Sequence, residues 1–408
     1  MADLIIKPAT GDGNKLILQD KAGGAVLTTA DSGATIANAT IPTITGNVTA
    51  SGNLTVAGDF VPSAPLSNRN TIINGDFNVW QRGTSFTGIG SWAYAADRWA
   101  YGDNSEAVHN ITASTDVPTQ AQSGITSQYS LKIDVTTVDS SVAAGHYSFL
   151  YQKLEGYHMR GLFGNPVTLS FWVKSNKTGI YTVCWRNNNL DMNLVKEYTI
   201  SSANTWEKKV INWTFDNSGG TWGNFTTDVG GWMCWNFAHG TNFNTTKDAW
   251  QSTTAVMNTA ASVNFNDSTS NELLLSQVQL ERGSLATPFE VRSHGEEELR
   301  CMRYFLDCSD QGAMGRAYMG HGNSHNGSSF NSGEGMFTYQ YPVPLRTGDI
   351  TFTAIGTWNG SGASQGNTNF GPFTNQTNKH SCYVKKHTNS VGGNQNTLKV
   401  GFQISAEL

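Results

Sequence analysis

Apolar and polar positions alternate along this chain in four successive textures. The clearest is "PVTLSFWVKS", where Val167, Leu169, Phe171 and Val173 share one side of a period of two and Thr168, Ser170, Trp172 and Lys174 the other. That alternation predicts a strand with one buried face. Similar runs ("GIYTVCWRN", "WEKKVINWTF", "GGWMCWNFAH" and "ELLLSQVQLERG") are spaced by Asn, Gly and Ser turns with no helical period between them. Residues 67–292 are therefore expected to form a jelly-roll β-sandwich. Ahead of them, short apolar runs at 4–6, 15–18 and 25–28 predict a small β module over residues 1–66, which Pro62 and Pro65 bring to an end. "SHGEEELRCMRYFLDC" has acidic residues leading and Leu299, Met302, Tyr304 and Phe305 following, so residues 293–312 are expected to be a helical connector. Residues 313–408 return to strand patterns such as "GDITFTAIGTW" and predict a C-terminal β-sandwich. The fold class is all-β.

One stretch repeats. In "GNVTASGNLTVAGDF" glycines recur at Gly46, Gly52 and Gly58, and Val48, Leu54 and Phe60 fall once per hexad on a single face. A stripe that thin buries too little apolar surface to offset the ordering of its own chain. Three copies wound about one axis would supply the missing partners, so the hexads predict an interwound stalk and a homotrimer.

Composition narrows the classes. Of 408 residues, 38% are hydrophobic and only 14% charged, with 43 Gly and 12 Trp. This is the balance of all-β surfaces with many turns. A net charge of -5 supplies no basic field, so neither nucleic acid nor an anionic membrane is expected as a partner. The N-terminus has no basic segment followed by an apolar run, and no stretch approaches a membrane span, which predicts a soluble chain made in a cytosol. Five scattered cysteines without a CxxC pair are expected to be reduced and mostly buried.

"NTIINGDFNVWQRGTSFT", "AADRW", "VTLSFWVKS", "VQLERGSLATPFEVR", "EEELRCMRYF" and "YPVPLR" occur in this order. Together they resemble a family of bacteriophage virion proteins of the tail-fibre type, whose middle domain looks like a jelly-roll carbohydrate-binding module. The resemblance runs from Asn68 to Leu408, and the combination carries it rather than any one piece. "KLILQDKAGGAVLTTADSGATI" is similar to leaders on phage structural proteins, which implies that the N-terminus attaches to other virion proteins. The resemblance implies a surface-exposed fibre on the virion that binds host-surface glycan or another receptor. A capsid decoration or head fibre is the structural alternative, and a polysaccharide depolymerase a third. The motif residues also have physical readings. Asn74, Gly75 and Asp76 should make a tight turn, Trp80 and Trp99 should plug the sandwich, and Asp97 and Arg98 should pair. Related modules often hold a structural calcium, but Gln277 and Gln279 stand where a carboxylate would be needed, and Asp76 alone does not make a site. No metal or cofactor is expected.

Eight of the tryptophans lie between Trp172 and Trp250. Sugars present flat C–H faces rimmed by hydroxyls, which suit aromatic platforms flanked by amides and guanidinium groups. The candidate glycan-binding residues are Trp172, on the polar side of its strand; Trp185, followed by Arg186 and Asn188; and, more weakly, Trp222, Trp232 and Trp250. For any one ring the competing and favoured reading is that it fills the sandwich core or a subunit interface. Glu155, Glu281 and Glu290 are isolated among strands, no nucleophile-elbow or phosphate-cradling motif occurs, and His321 and His325 lie in a Gly- and Asn-rich stretch. The reading is binding without covalent chemistry.

Overall fold

The computed structural model describes residues 17–19, 25–30, 33–36, 67–215, 219–222, 225–253, 256–308, 334–346, 350–359, 381–387 and 399–408. The stalk positions Val48, Leu54 and Phe60, and also His321 and His325, lie outside the described residues. The chain forms two compact units, Met1–Val61 and Pro62–Leu408. In the first, β1 (Ile17–Gln19), β2 (Ala25–Ala30) and β3 (Gly33–Ile36) make an antiparallel sheet in chain order.

The second unit is built on two antiparallel sheets. The six-stranded one runs β13 (Glu207–Thr214), β10 (Pro166–Ser175), β16 (Glu272–Arg282), β8 (Ser130–Thr137), β7 (Val108–Ser114), β4 (Ser85–Phe86). The seven-stranded one runs β15 (Trp250–Gln251), β12 (Asn193–Ile200), β11 (Gly179–Asn187), β14 (Val229–His239), β9 (Tyr147–Glu155), β6 (Ala100–Asp103), β5 (Ala93–Tyr94). From β8 onward the chain crosses between the sheets at almost every step, with β11 and β12 as a hairpin within one sheet. That winding is a jelly roll. Short helices α1 (Gln120–Ser123) and α2 (Gly156–Met159) sit in its connections.

Alternation determines what fills the space between the sheets. Val167, Leu169, Phe171 and Val173 of β10 are fully buried there. Trp99 and Trp235 meet at 5.2 Å between ring centroids, and Phe171 sets its ring edge-on to Trp235 at 5.9 Å. Burying each such side chain contributes about 1.5–3 kcal/mol. Trp80 packs at the margin of this core rather than inside it.

The turn before the first strand is a close fit. Asn74 has φ 55°, and its side chain accepts from Val79 N (3.0 Å) and donates to Val79 O (2.8 Å) and Asp97 O (3.1 Å). At Gly75 a Cβ would lie 2.1 Å from the Val278 carbonyl oxygen, so no other residue fits without moving β16. Opposite it, β16 bulges, with Gln277 at φ 49°.

Helix α3 (His294–Met302) begins where the acidic run predicts, with Ser293 accepting from Glu296 N at 3.3 Å. It leads to β17 (Phe305–Asp307), β18 (Glu334–Gln340), β19 (Thr351–Asn359), β20 (Ser381–His387) and β21 (Lys399–Ser405). The described strands here form a three-stranded sheet, β17-β21-β19, and a separate β18-β20 pair. Leu306, Cys308, Tyr341, Leu345, Ile404 and Ala406 make a small core of their own.

The recognised motifs converge on the seam between this region and the jelly roll. Arg98 pairs with Glu407, not with Asp97, and its guanidinium lies 3.6 Å from the Tyr304 ring centroid. Asp97 instead accepts from the backbone and side-chain amides of Gln81, at 2.6 and 2.7 Å. Arg82 joins Glu407 at 3.0 Å and stands over the Phe305 ring at 3.5 Å. Arg303 donates to both oxygens of Glu155, at 2.9 and 3.2 Å. These charges are buried or half-buried, so each needs its partner.

Candidate functional site

The face of the seven-stranded sheet turned away from the core is aromatic. On β9, Tyr147, Phe149, Tyr151 and Lys153 occupy alternate positions; on β14, Trp232, Cys234 and Asn236; on β11, Thr182, Cys184 and Arg186. Adjacent strands bring Trp232 beside Lys153 in register and Arg186 opposite Trp232. Trp232 stacks on Tyr151 at 5.0 Å and 25°. Lys153 Nζ lies 4.3 Å from the Trp232 ring centroid, and the Arg186 guanidinium carbon 6.0 Å. Both are at cation–π range.

Trp92 leans over this tract from the segment before β5. Its ring lies edge-on to Phe149 (6.1 Å), Tyr151 (5.9 Å) and Trp232 (6.1 Å, 88°), yet 49% of the residue remains exposed. Its backbone has φ 65°, the left-handed region that bulky side chains avoid. Such strain survives where the surroundings hold it, and it is concentrated at functional positions.

Two cations border the tract. Arg186 is 5% exposed, and its partners are neutral: Asn193 Oδ1 at 3.4 Å and Met257 Sδ at 3.2 Å. Burial, and then the nearby Arg98, bring the Lys153 amine down to about 8. Lys153 donates to the Leu408 backbone oxygen at 2.7 Å, and Tyr94 donates its hydroxyl to the same atom at 3.3 Å. At the far end of the tract, His239 is pushed down to about 3 by burial and then by Arg186, and neither ring nitrogen has a partner among the described residues. The arrangement offers ring faces and edges, two cations and side-chain amides.

The sequence-predicted residues divide. Trp232 and Arg186 come together on this face. Trp185 does not: it is 1% exposed in the main core, edge-on to Phe215 at 4.9 Å. Its ring needs Gly231, where a Cβ would stand 2.1 Å from it. On β11 it falls on the inward side with Tyr181 and Val183, so it is no surface platform. Trp172 does lie on the outer side of the other sheet, but Trp206 and Leu274 cover it and leave it 9% exposed. Trp222 packs at the sandwich end against Phe163, edge-on at 4.7 Å, and against Trp250 at 5.8 Å. Asn188 is exposed on the β11–β12 connection. Sequence reasoning missed Trp92, Tyr151 and Lys153. The alternation in "YSFLYQKLE" would have placed Tyr151 and Lys153 on one face, whereas nothing in "GIGSWAYAADRW" marks Trp92.

The isolated acids have structural partners. Glu155 holds Arg303, Glu281 accepts from Thr287 N (2.9 Å) and Gln279 Nε2 (2.9 Å), and Glu290 accepts the backbone N–H groups of Arg69 and Asn70, each at 3.0 Å. Among the described residues no three His, Cys, Asp or Glu side chains converge as a metal site.

No protein-family model and no curated sequence matches the chain. Solved structures similar to it include the enzymatically active domain of tailspike protein 4 from bacteriophage CBA120, at 12% identity and a TM-score of 0.29 over 52% of this chain and 21% of that one. Another is the module TmCBM61 in complex with β-1,4-galactotriose, at 11% identity and 0.26 over 53% and 100%. A third is a family 11 carbohydrate-binding module of Clostridium thermocellum in complex with a mixed-linked tetrasaccharide, at 11% identity and 0.27 over 50% and 99%. The chain thus spans about a fifth of the tailspike domain's length.

Proposed function

We propose that this chain is a bacteriophage virion fibre whose jelly roll binds a host-surface glycan across the tract formed by Trp92, Tyr151 and Trp232. The observation that carries the binding half is Trp92: a half-exposed indole, kept in an unfavourable backbone conformation, edge-on to a second indole that already stacks on a tyrosine. A ring held this way presents a platform to a sugar's C–H face, and Lys153 and Arg186 beside it favour glycans that carry acidic groups. The virion half is supported by the ordered motifs from Asn68 onward. In this reading the N-terminal module anchors the fibre, and the hexads wind three chains so that weak single-site binding gains avidity.

The test is a titration of purified protein against polysaccharide extracted from the host surface. Trp92→Ala should weaken binding about tenfold or more, since covering roughly 100 Å2 of ring contributes about 2 kcal/mol. Binding that is unchanged in both Trp92→Ala and Trp232→Ala would remove the tract from the interface.

A further inference from the structure

A cavity of about 300 Å3 lies beside residues 68–71, away from the aromatic tract. Arg69, Arg282, Arg300 and His158 line it, with Asn68 and Leu162, and among the described residues no carboxylate does. Two acids touch these arginines from outside the lining: Glu296 pairs with Arg300 at 2.8 Å, and Glu290 accepts the Arg69 backbone N–H at 3.0 Å. Glu290 is shared further with Arg292, at 3.2 Å. Arg69 donates through Nη2 to the Pro288 carbonyl at 3.2 Å, while its Nε is buried and has no partner among the described residues; Arg282 is exposed. The His158 imidazole is brought down to about 4, first by burial and then by Arg98, Arg300, Arg303 and Arg292. Arg98, Arg303 and Arg292 are each paired with a carboxylate, so among the described residues the positive charge left without an ion pair at this spot is that of Arg69 and Arg282.

We propose that this cavity binds a phosphate group carried on a sugar. Three guanidinium groups and an imidazole offer more N–H donors than the two oxygens of a carboxylate can use, whereas a phosphate monoester brings three oxygens and nearly two charges. The volume exceeds what bare phosphate fills and lies at the lower end of small-ligand pockets. Leu162 supplies an apolar patch for a ring face, and Asn68, whose Oδ1 accepts from Arg300 Nη2 at 2.8 Å, leaves its amide N–H groups for a hydroxyl.

Calorimetry on the full chain with glucose 6-phosphate, inorganic phosphate, sulfate and glucose tests the assignment. Glucose 6-phosphate should bind most tightly, inorganic phosphate more weakly, and glucose not at all, with affinity falling as salt rises. Arg282→Gln and Arg300→Gln should each weaken sugar-phosphate binding about tenfold at unchanged melting temperature. Both positions are at least partly exposed, so neither variant threatens folding. Absence of saturable binding to either phosphate compound, or equal affinity in both variants and wild type, would overturn the site. Inorganic phosphate binding as tightly as the sugar phosphate would overturn the sugar, and sulfate matching phosphate would overturn the choice of anion.

Discussion

The two outward faces of the sandwich follow the same alternation and have opposite characters. On the six-stranded sheet, Thr168, Ser170 and Lys174 accompany an ion cluster in which Lys132 meets Asp134 at 3.0 Å and Glu272 at 2.7 Å. Among the described residues it carries an aromatic island, Trp172 beneath Trp206, whose indole N–H donates to Asp116 at 2.9 Å. The seven-stranded sheet instead carries Tyr147, Phe149, Tyr151 and Trp232 in contact, with Trp92 across them and cations at the margin. The first face closes its tryptophan with a second tryptophan and an acid. The second leaves an indole open. A period of two tells which side of a sheet a ring takes, but whether the ring is covered depends on segments distant in sequence.

The largest effect should come from a ring on neither outer face. Trp185→Ala removes a fully enclosed indole, and the cavity left behind should cost about 4 kcal/mol. A denaturant titration reads this directly. Full stability with lost glycan binding would instead return Trp185 to the surface.

The next test falls on the seam that borders the aromatic face. Glu407→Ala leaves Arg98, 1% exposed, without its carboxylate, which should cost about 3 kcal/mol and open the last strand to protease. A variant as resistant to limited proteolysis as wild type would mean the pair does not fasten the region.

Asp97, in the same seam, should make stability depend on pH. Burial pushes its carboxyl up to about 7, the largest influence, against the lowering effect of Arg82 and Gln81. The folded state therefore holds this proton more tightly than the unfolded chain does, so this group destabilises the fold as pH rises from about 4 to about 7. Asp97→Asn should remove that slope, gaining of order 2 kcal/mol on wild type between pH 5 and pH 8. Parallel pH profiles of melting temperature for the two proteins would contradict it.

These residues also show how far sequence carried the structure. "PVTLSFWVKS" identified β10, its inward row and the outward side of Trp172, because strand periodicity is local. "GIYTVCWRN" held the same information about Trp185, whose inward neighbours Tyr181 and Val183 give its side, yet the polar residues after it suggested a surface. Arg98 could not be paired from its neighbours, since Glu407 lies 309 positions away. Trp92 carried no periodic signal at all, because its position comes from a left-handed turn and not from a strand.

That turn makes Trp92→Gly the sharpest probe of the open face, and the one with the smallest effect on stability. Glycine adopts φ 65° freely, so the substitution relieves backbone strain of order 1–2 kcal/mol. It also removes the half of the ring that packs on Phe149, Tyr151 and Trp232, a loss of about 2 kcal/mol at ~25 cal per Å2. The two nearly cancel, and the variant should melt within about 1 kcal/mol of wild type while losing the glycan. If Trp92→Gly instead unfolds the jelly roll, the indole is a structural cover as Trp206 is for Trp172, and the two outer faces differ only in how they are sealed. If stability holds and binding goes, the strain at Trp92 is maintained for the ligand, since the fold stands without the ring.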